Sequence, residues 1–293
     1  MANRDIVVGI DFCEPSLTAA RWTAQHLARN QPMVLAHAVY TPQPPAFLRG
    51  LYPPTDELID DAHRGAELRL RELGASLGAA ELDVVVASGR PDEVLAREAA
   101  DRKAALVVIG AHGERPGVWK LLGSTAERVV RRAPTSVLLA RGLGSRAPQR
   151  VLIALDESEQ RHAVSAWASR FVREFGAEVV AMHVVNPLSH GAVLVAASAG
   201  ERRRAEDQIH TRAEEWLHEQ LSGAKLDSST AHVAFGDAGF EVLSAIKRFD
   251  ADLVIVGRHG AGGTAGTFMG SVPEFLLRNG TGPVLTVAEA APG

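Results

Sequence analysis

Ala105-Leu-Val-Val-Ile-Gly-Ala-His-Gly113 returns 147 residues further on as Asp252-Leu-Val-Ile-Val-Gly-Arg-His-Gly260. In each copy a short apolar run ends in glycine, the appearance of a strand buried on both faces of a sheet. Both copies then complete one pattern, Gly110-x2-Gly113-x9-Gly123-Ser124 and Gly257-x2-Gly260-x9-Gly270-Ser271. Glycine lets backbone approach a ligand closely, and the free N–H groups of such a turn, running into a helix start, make a concavity for an anion. A turn role alone would account for one motif. It does not explain why a nine-residue gap recurs while its contents, Glu114–Leu122 and Ala261–Met269, share almost no sequence. The spacing predicts an anion-binding loop built twice.

The repetition extends outward from the loops. Ile6-Val-Val-Gly-Ile-Asp11 matches Val151-Leu-Ile-Ala-Leu-Asp156, and Trp22 and Trp167 each stand eleven residues after the aspartate. Val34-Leu-Ala-His37 matches Val179-Val-Ala-Met-His183, and Val84–Gly89 matches His232–Gly236, with offsets drifting only from 145 to 147. Between these strand-like runs lie helical patterns, such as Leu17, Ala20, Ala24, Leu27 and Ala28, or Val164, Trp167, Ala168, Phe171 and Phe175. Longer amphipathic stretches cover Asp56–Leu77 and Glu201–Leu221. Each half ends in a short apolar strand, Ser136–Ala140 or Val284–Val287. Regular alternation of strands and helices predicts an α/β fold: two tandem, doubly wound, five-stranded parallel-sheet domains of Rossmann-like type. Their expected extents are residues 1–141 and 150–290, joined by the linker 142–149. Thr41–Pro54, with five prolines, reads as an irregular loop.

In such a sheet ligands bind beyond the carboxyl ends of the strands, at the switch in strand order. Asp11 and Asp156, read as the last residues of their first strands, are therefore expected to face the same crevice as the glycine loops. Their carboxylates suit ribose hydroxyls, or a metal carried on phosphates. Ser124-Thr-Ala-Glu127 and Ser271-Val-Pro-Glu274 also match a helix capping box, so the two serines have a structural reading beside the ligand one. His37 and His183 are expected to be structural histidines that end the second strands. Trp22 and Trp167 are expected in the core. His112 and His259 read as loop residues with no metal-ligand partner at suitable spacing. No G-x-x-x-x-G-K-[ST] or G-x-G-x-x-G is present, which excludes a Walker-type site and a dinucleotide fingerprint.

The chain carries 31 Lys and Arg against 35 Asp and Glu, a net charge of −4. That gives no electrostatic case for nucleic acid or an anionic membrane. No stretch of about 18 apolar residues is present. Cys13 is the only cysteine, with no basic neighbour to lower its thiol pKa, and a reducing cytoplasm is the expected compartment.

At these residues the chain resembles the universal stress protein family in its tandem form, whose signature G-x2-G-x9-G-[ST] follows the fourth strand. The resemblance covers nearly the whole chain. It implies ATP binding by each domain, pairing through the last strands, and a role in stress survival or growth control; a magnesium ion carried on the ATP phosphates is the metal that the carboxylates of Asp11 and Asp156 would meet if they bind metal and not ribose. Carried over by position, the first site would use Gly9, Asp11, Ala38, Gly110, Gly113, Gly123, Ser124 and Thr125. The second would use Ala154, Asp156, Val184, Gly257, Gly260, Gly270, Ser271 and Val272. The family's adenine contact, through the backbone after the second-strand histidine, falls on Ala38 and Val184. Ala154 departs from the glycine at position 9. The alternatives are a weak ATPase or a nucleotidyl or phosphoryl transferase, for which no H-x-G-H or S-G-G-x-[DS] motif is present, and a nucleotide-free dimerisation module.

Overall fold

Apolar runs with no polar face to give to water pair with one another in the interior. In the computed structural model, which describes residues 4–40, 56–111, 124–186, 199–260 and 269–288, those runs become the strands. The proline-rich stretch 41–54, His112, Gly113, Gly123 and the tail beyond Ala288 lie outside the described residues. The chain divides into two units, Met1–Ser145 and Arg146–Gly293.

The first unit runs β1 (Ile6–Gly9), α1 (Glu14–His26), β2 (Met33–Val39), α2 (Asp56–Leu77), β3 (Leu82–Ser88), α3 (Pro91–Asp101), β4 (Leu106–Gly110), α4 (Ser124–Arg132) and β5 (Ser136–Ala140). Its strands lie parallel in the order β3-β2-β1-β4-β5. The second unit repeats the scheme with β6 (Arg150–Ala154), α5 (Gln160–Phe175), β7 (Glu178–Val185), α6 (Ala199–Gly223), β8 (Thr230–Phe235), α7 (Ala238–Arg248), β9 (Leu253–Gly257), α8 (Ser271–Asn279) and β10 (Val284–Val287). Its order is β8-β7-β6-β9-β10, again parallel. The expected doubly wound α/β architecture is therefore present in both halves. In each, the first strand pairs with the fourth, so the strand order switches there: Gly9 stands beside Ile109, and Ala154 beside Val256.

The helices cover the sheets because their apolar faces have nowhere else to go. In the first unit α1 and α2 pack on one face and α3 and α4 on the other, as right-handed crossovers require. Trp22 and Trp167 are buried, as expected, on the sheet-facing sides of α1 and α5. Local signals set the helix ends. Gly176, at φ 66°, closes α5 in the left-handed conformation that favours glycine. The Asp237 carboxylate accepts the Phe240 N–H at 3.1 Å and caps α7.

One expectation needs correction. Asp11 and Asp156 do not end their strands: β1 stops at Gly9 and β6 at Ala154. Turn chemistry takes the chain away first. Asp11 Oδ1 accepts the Cys13 N–H at 3.0 Å, and Asp156 Oδ1 accepts the Ser158 N–H at 3.0 Å. Each aspartate thus sits in the turn that launches the next helix, as Asp side chains commonly do.

Two stability tests follow from this packing. A Cβ on Gly110 would lie 2.9 Å from Ser16 N and 3.0 Å from Pro15 C, backbone atoms at the start of α1 that cannot swing aside. Gly110→Ala should therefore cost about 1–3 kcal/mol in urea unfolding. Gly65→Ala, within α2 with nothing near the added methyl, should instead stabilise by about 0.5–1 kcal/mol. Burial, reinforced by Arg248 and His210 and opposed by Glu241, pushes the His232 imidazole below its ordinary 6.5. The fold favours the neutral ring, so this contribution to stability is full above that value and is lost as pH falls below it. Urea midpoints of His232→Gln measured across pH should show less of this acid-side decline than the parent.

Candidate functional site

The second unit shows the crevice most completely. A cleft of about 260 Å³ opens at the switch point. The positions singled out in this half by sequence meet there: Ala154 at the end of β6, Asp156 in the following turn, and Val184 on β7. Gly257 at the end of β9, Gly260 in the glycine loop, and Gly270, Ser271 and Val272 at the start of α8 complete the set. A Cβ on Gly260 would stand 3.0 Å from Asp156 Oδ2, so the loop and the carboxylate face each other across the cleft.

The loop is held at its base by backbone. Arg258 donates its N–H to Val287 O at 2.9 Å, and its carbonyl accepts the Gly270 N–H at 2.8 Å, tying the beginning of the loop to its end. Burial pushes the Arg258 guanidinium down to about 10. A Cβ on Gly257 would come within 2.7 Å of Gln160 Oε1 and 3.1 Å of His259 O, so this glycine is needed for close packing. The capping-box reading of Ser271 does not hold. Gly270 occupies the cap position of α8, Ser271 is the first helical residue and lines the cleft, and Glu274 pairs with Arg278 at 2.9 Å. The helix start thus presents a hydroxyl and backbone N–H groups at its positive end.

In the first unit Gly9 and Gly110 end β1 and β4, Asp11 lies in the turn after β1, and Ala38 lies on β2. Ser124 and Thr125 open α4, with Thr125 Oγ1 accepting from Arg128 Nη2 at 3.4 Å. These positions correspond to those that converge in the second unit. Gly113 and Gly123 fall outside the described residues.

The two histidines are structural, as expected, though they lie within β2 and β7 and not at their ends. His37 Nδ1 meets Ile10 O at 2.7 Å, and His183 Nδ1 meets Leu155 O at 2.9 Å. A carbonyl can only accept, so Nδ1 carries the proton in both. Each ring thereby pins the residue immediately before the site aspartate. The backbone beside them is directed as well. Leu155 donates its N–H to Met182 O, and Ile10 to Ala36 O, each at 2.9 Å. Backbone direction alternates along a strand, so Val184 and Ala38, two residues on, turn the same way past the ends of β6 and β1.

Several lining residues escaped the sequence reading, namely Ser158, Gln160, Arg161, Met182 and Val242, while His259, read from sequence as a loop residue, lines the cleft as well. Gln160 matters most. Its Oε1, buried in the wall, accepts the His259 N–H at 3.0 Å and so positions the loop. Only the Asp-x-Ser spacing of Asp156 and Ser158 carried a legible signal, that of an aspartate-led turn.

Comparison with known proteins adds the family context. The model of the universal stress protein family matches residues 2–141 and 148–288. Universal stress protein Rv2623 of Mycobacterium tuberculosis is 28% identical over 301 residues, spanning 97% of this chain and 96% of its own length. Universal stress protein Rv1996 of the same species is 28% identical over 308 residues, spanning 97% and 94%. A universal stress protein structure from Archaeoglobus fulgidus aligns with a TM-score of 0.71 at 19% identity, covering 99% of this chain and 100% of that one, a likeness of fold.

Gln160→Leu removes the acceptor of the His259 N–H while keeping the wall apolar. It should destabilise the second unit by about 1–2 kcal/mol and speed amide exchange at His259. Unchanged exchange there would refute the role assigned to Gln160.

Proposed function

The chain belongs to the universal stress protein family, and on that premise we propose that each unit binds ATP and that the protein acts as a nucleotide-responsive regulator in stress survival or growth control. The observation that carries the reading is the convergence of Asp156, Val184, Gly260 and the α8 start on one cleft.

The cleft offers three kinds of chemistry suited to a nucleotide. Backbone N–H and C=O of Val184, turned past the end of β6, suit the hydrogen-bonding edge of a base, with Met182, Val164 and Val242 as apolar walls. The Asp156 carboxylate suits ribose hydroxyls. The glycine loop and the start of α8 suit phosphates, because unpaired N–H groups and the helix dipole favour anions. Ala38, Asp11 and the start of α4 occupy the corresponding places in the first unit. A magnesium ion carried on the phosphates would neutralise part of their charge and would find Asp156 or Asp11 as its protein carboxylate. Regulation would follow if nucleotide binding ordered the loops and shifted the population of partner-competent states. We also propose self-association through β5 and β10: they close the strand orders of their units, and a terminal strand's outer edge can be met by a further strand. The cytoplasm remains the proposed compartment.

Calorimetry of the purified chain with ATP and magnesium tests this reading. Binding tighter than about 1 mM is expected, and Asp11→Ala and Asp156→Ala should each weaken their own site about tenfold, the worth of a charged hydrogen bond. Absence of any sub-millimolar binding would overturn the reading. ATP at about 100 times its dissociation constant should also raise unfolding stability by about 2.7 kcal/mol.

A further inference from the structure

The two site aspartates are held by the same pair of donors supplied by different residues. In the first unit Asp11 Oδ1 accepts the Cys13 N–H at 3.0 Å and the Ser16 hydroxyl at 2.6 Å. In the second, Ser158 gives both, its N–H at 3.0 Å and its hydroxyl at 2.5 Å, to Asp156 Oδ1. On the 145-residue offset that aligns Asp11 with Asp156, Ser158 stands in the place of Cys13 and Arg161 in the place of Ser16. The hydroxyl has moved to position 158, so position 161 no longer serves the carboxylate. It carries a guanidinium instead, and Arg161 lines the cleft.

Arg161 is braced on one side. Its Nε donates to Gln220 Oε1 at 3.2 Å, and its Nη1 donates to the carbonyls of Glu157 at 3.1 Å and Ser158 at 2.9 Å. Nη1 also lies 3.4 Å from Glu159 Oε1, on a side chain that is 84% exposed. These partners engage Nε and Nη1 of the planar donor fork, and none of these bonds uses Nη2. The side chain is only 21% exposed, and no buried carboxylate is among these partners. Arg161 is also the second residue of α5, where a cation opposes the helix dipole. A braced guanidinium at the wall of a cleft is suited to an anionic oxygen.

We propose that Arg161 recognises the phosphate chain of the nucleotide in the second site, so that this site discriminates for ligand charge more strongly than the first, where Ser16 stands. This deepens the nucleotide reading above and rests on it. Hydrogen exchange of the full chain separates the two sites, with peptides over residues 257–260 and 269–272 reporting the second and peptides over 110–111 and 124–127 the first. Each is titrated with ATP and with adenosine. Arg161→Ser should weaken ATP at the second site about tenfold while adenosine there changes by less than about twofold. The first site should not change. Arg161→Lys, which keeps the charge without the fork, should fall between the parent and Arg161→Ser. Equal weakening of ATP and adenosine would make Arg161 a wall-building residue and overturn the proposal, as would unchanged ATP protection in Arg161→Ser. Protection by ATP at neither site in the parent would overturn the nucleotide reading and this proposal together.

Discussion

Parallel pairing of the first strand with the fourth is the constraint on which the rest of each unit depends. Crossovers on opposite faces leave that junction uncovered at the carboxyl ends of the strands. The residues emerging there, an aspartate turn from one strand and a glycine loop from the other, have to share one space. In the second unit the pairing of Ala154 with Val256 brings Asp156 and Gly260 face to face. The crevice is thus a consequence of sheet topology, and its chemistry is whatever the two emerging turns carry.

Around that constraint the two copies have diverged in ways that conserve the backbone and exchange the side chains. Asp92 on α3, fully buried, meets guanidinium groups of Arg90, Arg128 and Arg132 at 3.3 Å. On the 147-residue offset Asp92 becomes Gly239 and Arg128 becomes Phe275. There α7 meets α8 through Phe240 and Phe275, with ring centroids 4.6 Å apart, and a Cβ on Gly239 would come within 2.7 Å of the Phe275 ring. An ionic junction in one unit is an aromatic one in the other. Both satisfy the same requirement, that the third and fourth helices cover one face of the sheet. The exchange of Ser16 for Ser158 at the aspartates follows the same logic at closer range, since the carboxylate keeps its two donors whichever residues supply them.

The fold was legible because its signals are local and repeated. Apolar runs such as Leu106–Gly110 and Leu253–Gly257 have a single stable use, as central strands, and glycine spacing marked where each ends. The structural roles of His37 and His183 and the burial of Trp22 and Trp167 were legible for the same reason. The ends of β1 and β6 were less so. Ile10 and Leu155 continue the apolar pattern, yet the aspartate side chains capture backbone N–H groups and turn the chain early. Ser271 matched a capping box by spacing, but Gly270 took the cap position once its N–H was drawn to Arg258.

The sequence by itself determined the duplication, the parallel α/β architecture, and the residue types that surround each crevice, because periodicity and glycine spacing act over a few residues of chain. The tertiary structure alone decided which of them meet. Gln160 and His259 lie 99 residues apart, and only the pairing of β6 with β9 brings the buried amide to the loop N–H. Arg161 took its place in the cleft wall through a contact with Gln220, 59 residues distant, that no local pattern encodes. Long-range contacts of this kind depend on how helices settle on a twisted sheet, and spacing along the chain carries no record of that packing.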